Sequence, residues 1–222
     1  MTIRAVLFDW DGTLVDSAEA SFRCYQRLFG SFGLTYERED FARTYSPDWY
    51  RTYEALGLAR ERWPEADSRW LALYAGEKST LIPGAAQALE ALRRAGILAG
   101  IVTSGSRSRV EPEVSTLGLA GMFETQVFCE DCERRKPDPE LLRLAIGRLG
   151  IPPAEAAYVG DSPEDVEMAR AAGVFSVGIA GGFPNRDALA RAAPDLSAGS
   201  LGEGVESLLR RARTLSGRRG SR

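Results

Sequence analysis

An apolar stretch over residues 3–8 runs directly into Phe8-Asp9-Trp10-Asp11-Gly12-Thr13-Leu14, so two carboxylates leave a buried segment two residues apart. Like charges brought together and dried are costly unless something compensates them, and a divalent cation is the direct compensation. In an extended segment residues i and i+2 share a side. Asp9 and Asp11 are therefore expected to converge on one site while Trp10 turns away, Gly12 lets the chain fold sharply and Thr13 adds a hydroxyl. The competing reading is a pair of solvated acids in a turn after an edge strand.

Three further segments could add chemistry. Thr103-Ser104-Gly105-Ser106 offers hydroxyls and backbone amides at a helix start, a natural cradle for phosphate oxygens, although Ser/Thr/Gly turns are common. Arg135-Lys136-Pro137-Asp138-Pro139 places an ammonium before a proline-started helix, where it could neutralise a transferring phosphoryl group or simply face solvent. Gly160-Asp161-Ser162-Pro163-Glu164-Asp165 supplies Asp161 as a hard-cation ligand or an N-cap, with Asp165 four residues on. No histidine occurs in the chain, which removes Ser/His/Asp triads, histidine bases and nearly all zinc-hydrolase sites.

The elements that must hold these residues alternate. Short β-rich apolar runs at 3–8, 98–103, 125–129, 156–160 and 174–179 read as buried parallel strands, and 84–95, 106–117, 138–149 and 163–172 read as helices between them. Pro112 inside the second helix predicts a helix start or a kink there. The fold class expected is α/β, a doubly wound, Rossmann-like parallel sheet, with each chemical segment at the C-terminal end of a strand. Between about residues 15 and 82 the alternation stops, and an amphipathic region rich in Trp, Tyr, Phe and Arg predicts a small inserted all-α cap domain with helices near 17–29, 47–56 and 67–77. Its aromatics, Tyr45, Trp49, Tyr50, Tyr53, Trp63 and Trp70, are expected to form its core. The division is 1–15 and 83–222 for the catalytic core and 16–82 for the cap, whose two connections would let it open and close over the site.

The chain of 222 residues, 44% hydrophobic with a formal net charge of −3, gives no electrostatic reason to expect a nucleic-acid partner. It has no long apolar span for a membrane and no export pattern at its start, so a cytoplasmic location is the expectation. Three cysteines, Cys24, Cys129 and Cys132, are too few for a closed zinc site without histidine. Cys129-x-x-Cys132 could form a reversible disulfide beside Lys136, or be a strand end and a loop residue. The basic ending at 210–222 is expected to fray.

Taken in order, Asp9-Trp10-Asp11-Gly12-Thr13, Thr103, Lys136 and Gly160-Asp161-Ser162 through Asp165 resemble the four motifs of the haloacid-dehalogenase-like superfamily, in its phosphoglycolate phosphatase and β-phosphoglucomutase branch. The likeness covers nearly the whole chain, and the insert falls where that family carries its helical cap. Dehalogenases and phosphonate hydrolases of the family lack the second aspartate, which here is Asp11. The resemblance implies Mg²⁺ held by an Asp9 carboxylate oxygen, the backbone carbonyl of Asp11 and Asp161, with Asp165 supporting the metal or orienting Lys136.

The residues then predict a phosphatase acting on a small phosphomonoester. Asp9 attacks phosphorus to give an aspartyl-phosphate, and Asp11, an acid beside an acid, holds and shuttles the proton. Thr103, Ser104, Gly105 and Lys136 bind the phosphate. In the cap, Arg23, Arg27, Arg43, Tyr45, Trp49 and Arg51 are candidates to touch the leaving group. Mutase relatives carry a Gly-x-Ser-Arg loop where this chain reads Arg43-Thr44-Tyr45-Ser46-Pro47-Asp48, which leaves a sugar phosphomutase as the alternative enzyme and a phosphometabolite sensor as the non-enzymatic one. The partner expected is a small phosphorylated metabolite, for a monomer or homodimer.

Overall fold

The computed structural model describes residues 2–219 and side chains as far as Ala212; residue 1 and residues 220–222, which end the expected core segments and the basic tail, lie outside the described residues. Strand β1 (Ala5–Phe8) is apolar throughout because both of its faces are covered. Ala5 and Leu7 enter one hydrophobic layer, Val6 and Phe8 the other. From β1 the chain passes through β2 (Val15–Asp16), α1 (Ala18–Ser31), α2 (Arg38–Thr44), α3 (Trp49–Ala55), α4 (Trp63–Tyr74) and β3 (Thr80–Leu81). It continues through α5 (Ala85–Arg94), β4 (Leu98–Val102), α6 (Arg107–Thr116), β5 (Thr125–Val127), α7 (Glu140–Leu149), β6 (Ala156–Gly160) and α8 (Pro163–Ala172). It ends with β7 (Phe175–Ile179), α9 (Arg186–Arg191), β8 (Leu196–Ala198) and α10 (Leu201–Arg219).

Six of these strands form one parallel sheet in the order β5-β4-β1-β6-β7-β8. Apolar residues of α5, α6 and α10 pack on the face carrying Val6, Phe8, Ile101 and Val159. Those of α7 and α8 pack on the face carrying Leu7, Val102, Val127 and Tyr158. This is the doubly wound, Rossmann-like α/β arrangement. The chain builds outward from β1 to one side, then returns to build outward on the other, and the reversal opens a crevice at the C-terminal ends of β4, β1 and β6.

The helices between β2 and β3 pack around a separate aromatic cluster that includes Phe22, Tyr25, Phe29, Tyr36, Phe41 and Tyr53. The two short strands at their base pair antiparallel, Val15 opposite Leu81 and Asp16 opposite Thr80. Phe183, from the loop after β7, joins this cluster and stacks on Tyr45 with ring centroids 4.2 Å apart. Ser46 adds a second link to the sheet side by donating 3.2 Å to Glu164 at the start of α8.

Several expectations are refined. The strand expected over 125–129 stops at Val127, since the chain turns into a 3-10 helix at Cys129–Asp131 in which Asp131 accepts the Phe128 N–H at 2.9 Å. Strands β2, β3 and β8 are two or three residues long, too short to show periodicity. Helix α6 begins at Arg107 and runs through Pro112 rather than starting there. Pro112 is exposed, so the carbonyl it deprives of a helical donor can turn to solvent, while Val110 and Val114 hold the helix on the sheet. Among the described residues no helix is long and apolar enough to cross a membrane.

Because Phe183 is the core's ring in the insert's aromatic cluster, Phe183→Ala is expected to cost about 3–5 kcal/mol of stability. Hydrogen exchange checks the location: amides of α2 and the following loop should exchange faster, while those of α7 keep their protection.

Candidate active site

The loops leaving β1, β4, β5 and β6 meet in the crevice. Asp9 directly follows β1, and its N–H donates 2.9 Å to the Val159 carbonyl, extending the strand pairing by one residue. The loop after β5 brings in Lys136, which is 1% exposed. Its Nζ lies 2.7 Å from Asp9 Oδ1 and 2.8 Å from Asp165 Oδ1. Burial works against the ammonium, yet Asp165 and Asp9 more than offset it and hold the lysine above its ordinary pKa.

Asp165 is fully committed to this arrangement. Its Oδ2 accepts from Ser162 N at 3.1 Å and Ser162 Oγ at 2.8 Å, a capping box at the start of α8. The Tyr158 hydroxyl lies 3.2 Å from its Oδ1 while donating 2.8 Å to the Val102 carbonyl. Asp165 thus ties Lys136 to the start of α8 while standing in the same acid cluster as Asp9 and Asp161.

Asp161 is different. The N-cap of α8 is Ser162, so Asp161 is not spent as a cap. Its Oδ2 is buried with no hydrogen-bond partner. A Cβ at Gly12 would fall 2.2 Å from that oxygen and one at Gly181 2.1 Å from it, so both positions leave room for this carboxylate, Gly12 also for the Phe183 ring. Ligand oxygens of Asp9, Asp161 and Asp165 lie within 4.8 Å of one another. Three buried carboxylates surround one ammonium that pairs with two of them, Asp9 and Asp165, and an all-oxygen donor set with excess negative charge and an unpartnered oxygen fits a hard divalent cation. Without one, burial pushes Asp9 up to about 7 against the pull of Lys136. Burial and the carboxylates of Asp165 and Asp9 push Asp161 well above the usual range.

The Asp11 side chain stands outside this cluster. Both of its oxygens face Arg109: Nη1 donates 3.2 Å to Oδ1, and Nη2 makes a second contact with Oδ2. Arg109 also donates 3.2 Å to Glu113 and lies over the Tyr74 ring at 4.8 Å. Asp11 still acts on Asp9 and Asp161 as a neighbouring acid, and a guanidinium fork that the sequence reading did not include reaches it from α6. A lone arginine two residues into a helix gives no sequence signal for such a contact.

The phosphate cradle is partly engaged with itself. Thr103 Oγ1 accepts the Gly105 N–H at 2.9 Å, and the Arg107 N–H at the start of α6 meets the Glu130 carboxylate at 3.1 Å. The Ser104 hydroxyl is buried without a partner. Asp9, Asp11, Thr103, Ser104 and Gly105 all line one cavity of about 380 Å³.

Of the six residues expected to reach the leaving group, Tyr45 and Trp49 line this cavity. The exposed Arg23 pairs with Glu77, Arg43 with Asp40 and Arg51 with Asp48, and Arg27 is exposed away from the lining. Tyr50, Tyr53 and Trp70 serve both as insert core and as cavity wall. Lining residues the sequence did not single out include Arg109, Arg135 and Asp67. Among the described residues Cys24, Cys129 and Cys132 are free. Burial, with Glu130, pushes the Cys129 thiol up to about 12, and burial raises Cys132 as well, so neither is poised as a thiolate.

Comparison with known proteins agrees with this geometry. Residues 6–179 match the family model described as "Haloacid dehalogenase-like hydrolase". The chain is 32% identical over 197 residues to pyrophosphatase PpaX of Bacillus velezensis, covering 87% of this chain and 90% of the relative. It is 30% identical over 221 residues to a phosphoglycolate phosphatase of Salmonella typhimurium, covering 87% and 88%. The crystal structure of a haloacid dehalogenase-like hydrolase from Bacteroides fragilis superposes with a TM-score of 0.84 at 27% identity, covering 90% of this chain and 99% of that one. A match over this much of the chain, whose fold gathers acids and a lysine at one crevice, means that the chain belongs to the haloacid dehalogenase-like hydrolases.

Proposed function

We propose that the protein is a Mg²⁺-dependent phosphatase that hydrolyses a small phosphomonoester through an aspartyl-phosphate on Asp9. The observation that carries this reading is the pairing of Asp9 with Lys136 beside Asp161, whose Oδ2 is buried and unpartnered. Names of relatives at 30–32% identity, a phosphoglycolate phosphatase and a pyrophosphatase, support it.

Asp9, Asp161 and the Asp11 carbonyl would hold Mg²⁺, which supplies charge neutralisation to an incoming phosphate dianion. Lys136 neutralises the nonbridging oxygens, and Thr103, Ser104 and Gly105 bind them. An Asp9 oxygen attacks phosphorus, the bond to the leaving oxygen breaks, and the Asp11 carboxyl gives that oxygen its proton. Water then attacks the aspartyl-phosphate, gives its proton to Asp11, and inorganic phosphate departs with Asp9 regenerated. The insert, residues 16–82, acts as the cap that shields the crevice of the core, 1–15 and 83–222, from bulk water. Its 43–48 loop places Tyr45 against Phe183 and lacks the mutase-type arginine, which favours hydrolysis over transfer between sugar positions.

Phosphate release from phosphoglycolate, sugar phosphates, nucleotides and pyrophosphate, with and without Mg²⁺, tests the reading. Metal-dependent release that falls about 10³-fold or more in Asp9→Asn is the expected result. Release that survives in Asp9→Asn overturns the covalent route; the absence of release with binding retained favours a sensor.

Charge excess at Asp161 generates a separate expectation. Asp161→Asn removes one buried carboxylate charge without changing shape, so in metal-free buffer its thermal midpoint should rise, by roughly 2–4 °C for each 1 kcal/mol of repulsion relieved. The same variant should lose the stabilisation that Mg²⁺ gives the native chain. Calorimetric scans with and without Mg²⁺ check both signs.

A further inference from the structure

Arg135 precedes Lys136 and lines the same cavity as Asp9, Thr103 and Ser104. Its guanidinium sits in the corner of two rings of α3, 3.8 Å from the Trp49 centroid and 4.2 Å from that of Tyr50, whose planes meet at 63°. Those rings are themselves anchored, because Asp67 accepts the Trp49 indole N–H at 2.8 Å and the Tyr50 hydroxyl at 2.9 Å. Cation–π contact with both rings holds the fork in place. Nη1 is buried and has no hydrogen-bond partner. Asp48 Oδ1, 3.7 Å away, is too far for a hydrogen bond and is likewise buried without one.

An unsatisfied buried donor on a fixed cation, in the wall of a cavity whose other wall binds phosphate, calls for an anion. We propose that Arg135 is the specificity-determining residue of this site and receives a second anionic group, carboxylate or phosphate, on the leaving portion of the substrate. The substrate class is then a small phosphorylated compound with that second anion on a short chain, since the cavity of about 380 Å³ must hold both ends. Arg109 is the weaker receptor because Asp11 and Glu113 already occupy its donors. Trp49 and Tyr50 belong to the insert and Arg135 to the core, so the receptor is assembled only when the two are together. The inference rests on the phosphatase reading solely for where the transferring phosphoryl group sits.

Titration calorimetry of the full chain in Mg²⁺ with three non-hydrolysable probes tests it: phosphonoacetate, methylenediphosphonate and ethylphosphonate, the last with a neutral tail. The native chain should bind at least one of the first two about 10-fold or more tighter than ethylphosphonate, and the favoured probe identifies the second anion. In Arg135→Ala that ratio should collapse toward one while ethylphosphonate affinity stays within about 3-fold. Trp49→Ala should shrink the ratio in the same sense, through loss of the ring that fixes the fork. No preference in the native chain, a ratio that survives in Arg135→Ala, or parallel weakening of all three probes overturns the proposal. Because the readout is binding, a preserved ratio in a protein that releases no phosphate would refute the phosphatase reading and leave the receptor standing.

Discussion

The arrangement of this protein depends on one buried cation shared by two carboxylates. Lys136 lies between Asp9 and Asp165 with almost no access to solvent. Desolvating an ammonium costs several kcal/mol, roughly, and the cost is offset only when geometry and hydrogen bonding are complete. Here Ser162 engages the Asp165 oxygen that Lys136 leaves, and the Tyr158 hydroxyl lies against the one it shares with Lys136. Gly160 permits this, since a Cβ there would come within 2.4 Å of the Asp165 carboxylate. The network spends Asp165 on orientation and leaves Asp161 uncompensated, which is why the charge excess settles at one oxygen.

The parts of the fold that were legible in the sequence are those buried on both faces. β1, β4, β6 and β7 read as unbroken apolar runs because each has helices above and below it, and their helices end within a residue or two of the positions that periodicity gives. Sheet-edge and hinge strands, β8 at the margin and β2 with β3 under the insert, are too brief to carry a pattern. The site divides in the same way. Acids at strand ends announce themselves by breaking an apolar run, so Asp9, Asp11 and Asp161 stood out. Arg109 and Arg135 did not, because an arginine in a helix or loop looks solvated until tertiary packing puts rings or carboxylates against it. The insert's exposed arginines show the converse, since most of those that looked available are paired on the surface.

Glu113 connects otherwise separate pieces of this architecture. It accepts the Trp10 indole N–H at 2.7 Å and the Ser79 hydroxyl at 3.1 Å, and meets Arg109 at 3.2 Å. The loop after β1, the segment entering β3 and helix α6 thus share one carboxylate. Arg109 also lies on the ring of Tyr74 at the end of α4, so its contact with Asp11 is tied to the insert as well as to α6.

Trp10 carries a consequence for how the molecule reaches its working state. It is fully buried between two acids that face the crevice, and the alternation of the strand sets which of them points where. A slip of one residue in the pairing of β1 would thrust the indole into the cavity and both carboxylates into the hydrocarbon layer. Such a chain would be neither stable nor competent, so misregistered molecules are purged rather than stored. Recovered turnover after denaturation therefore counts correctly folded molecules, with no contribution from near-native impostors.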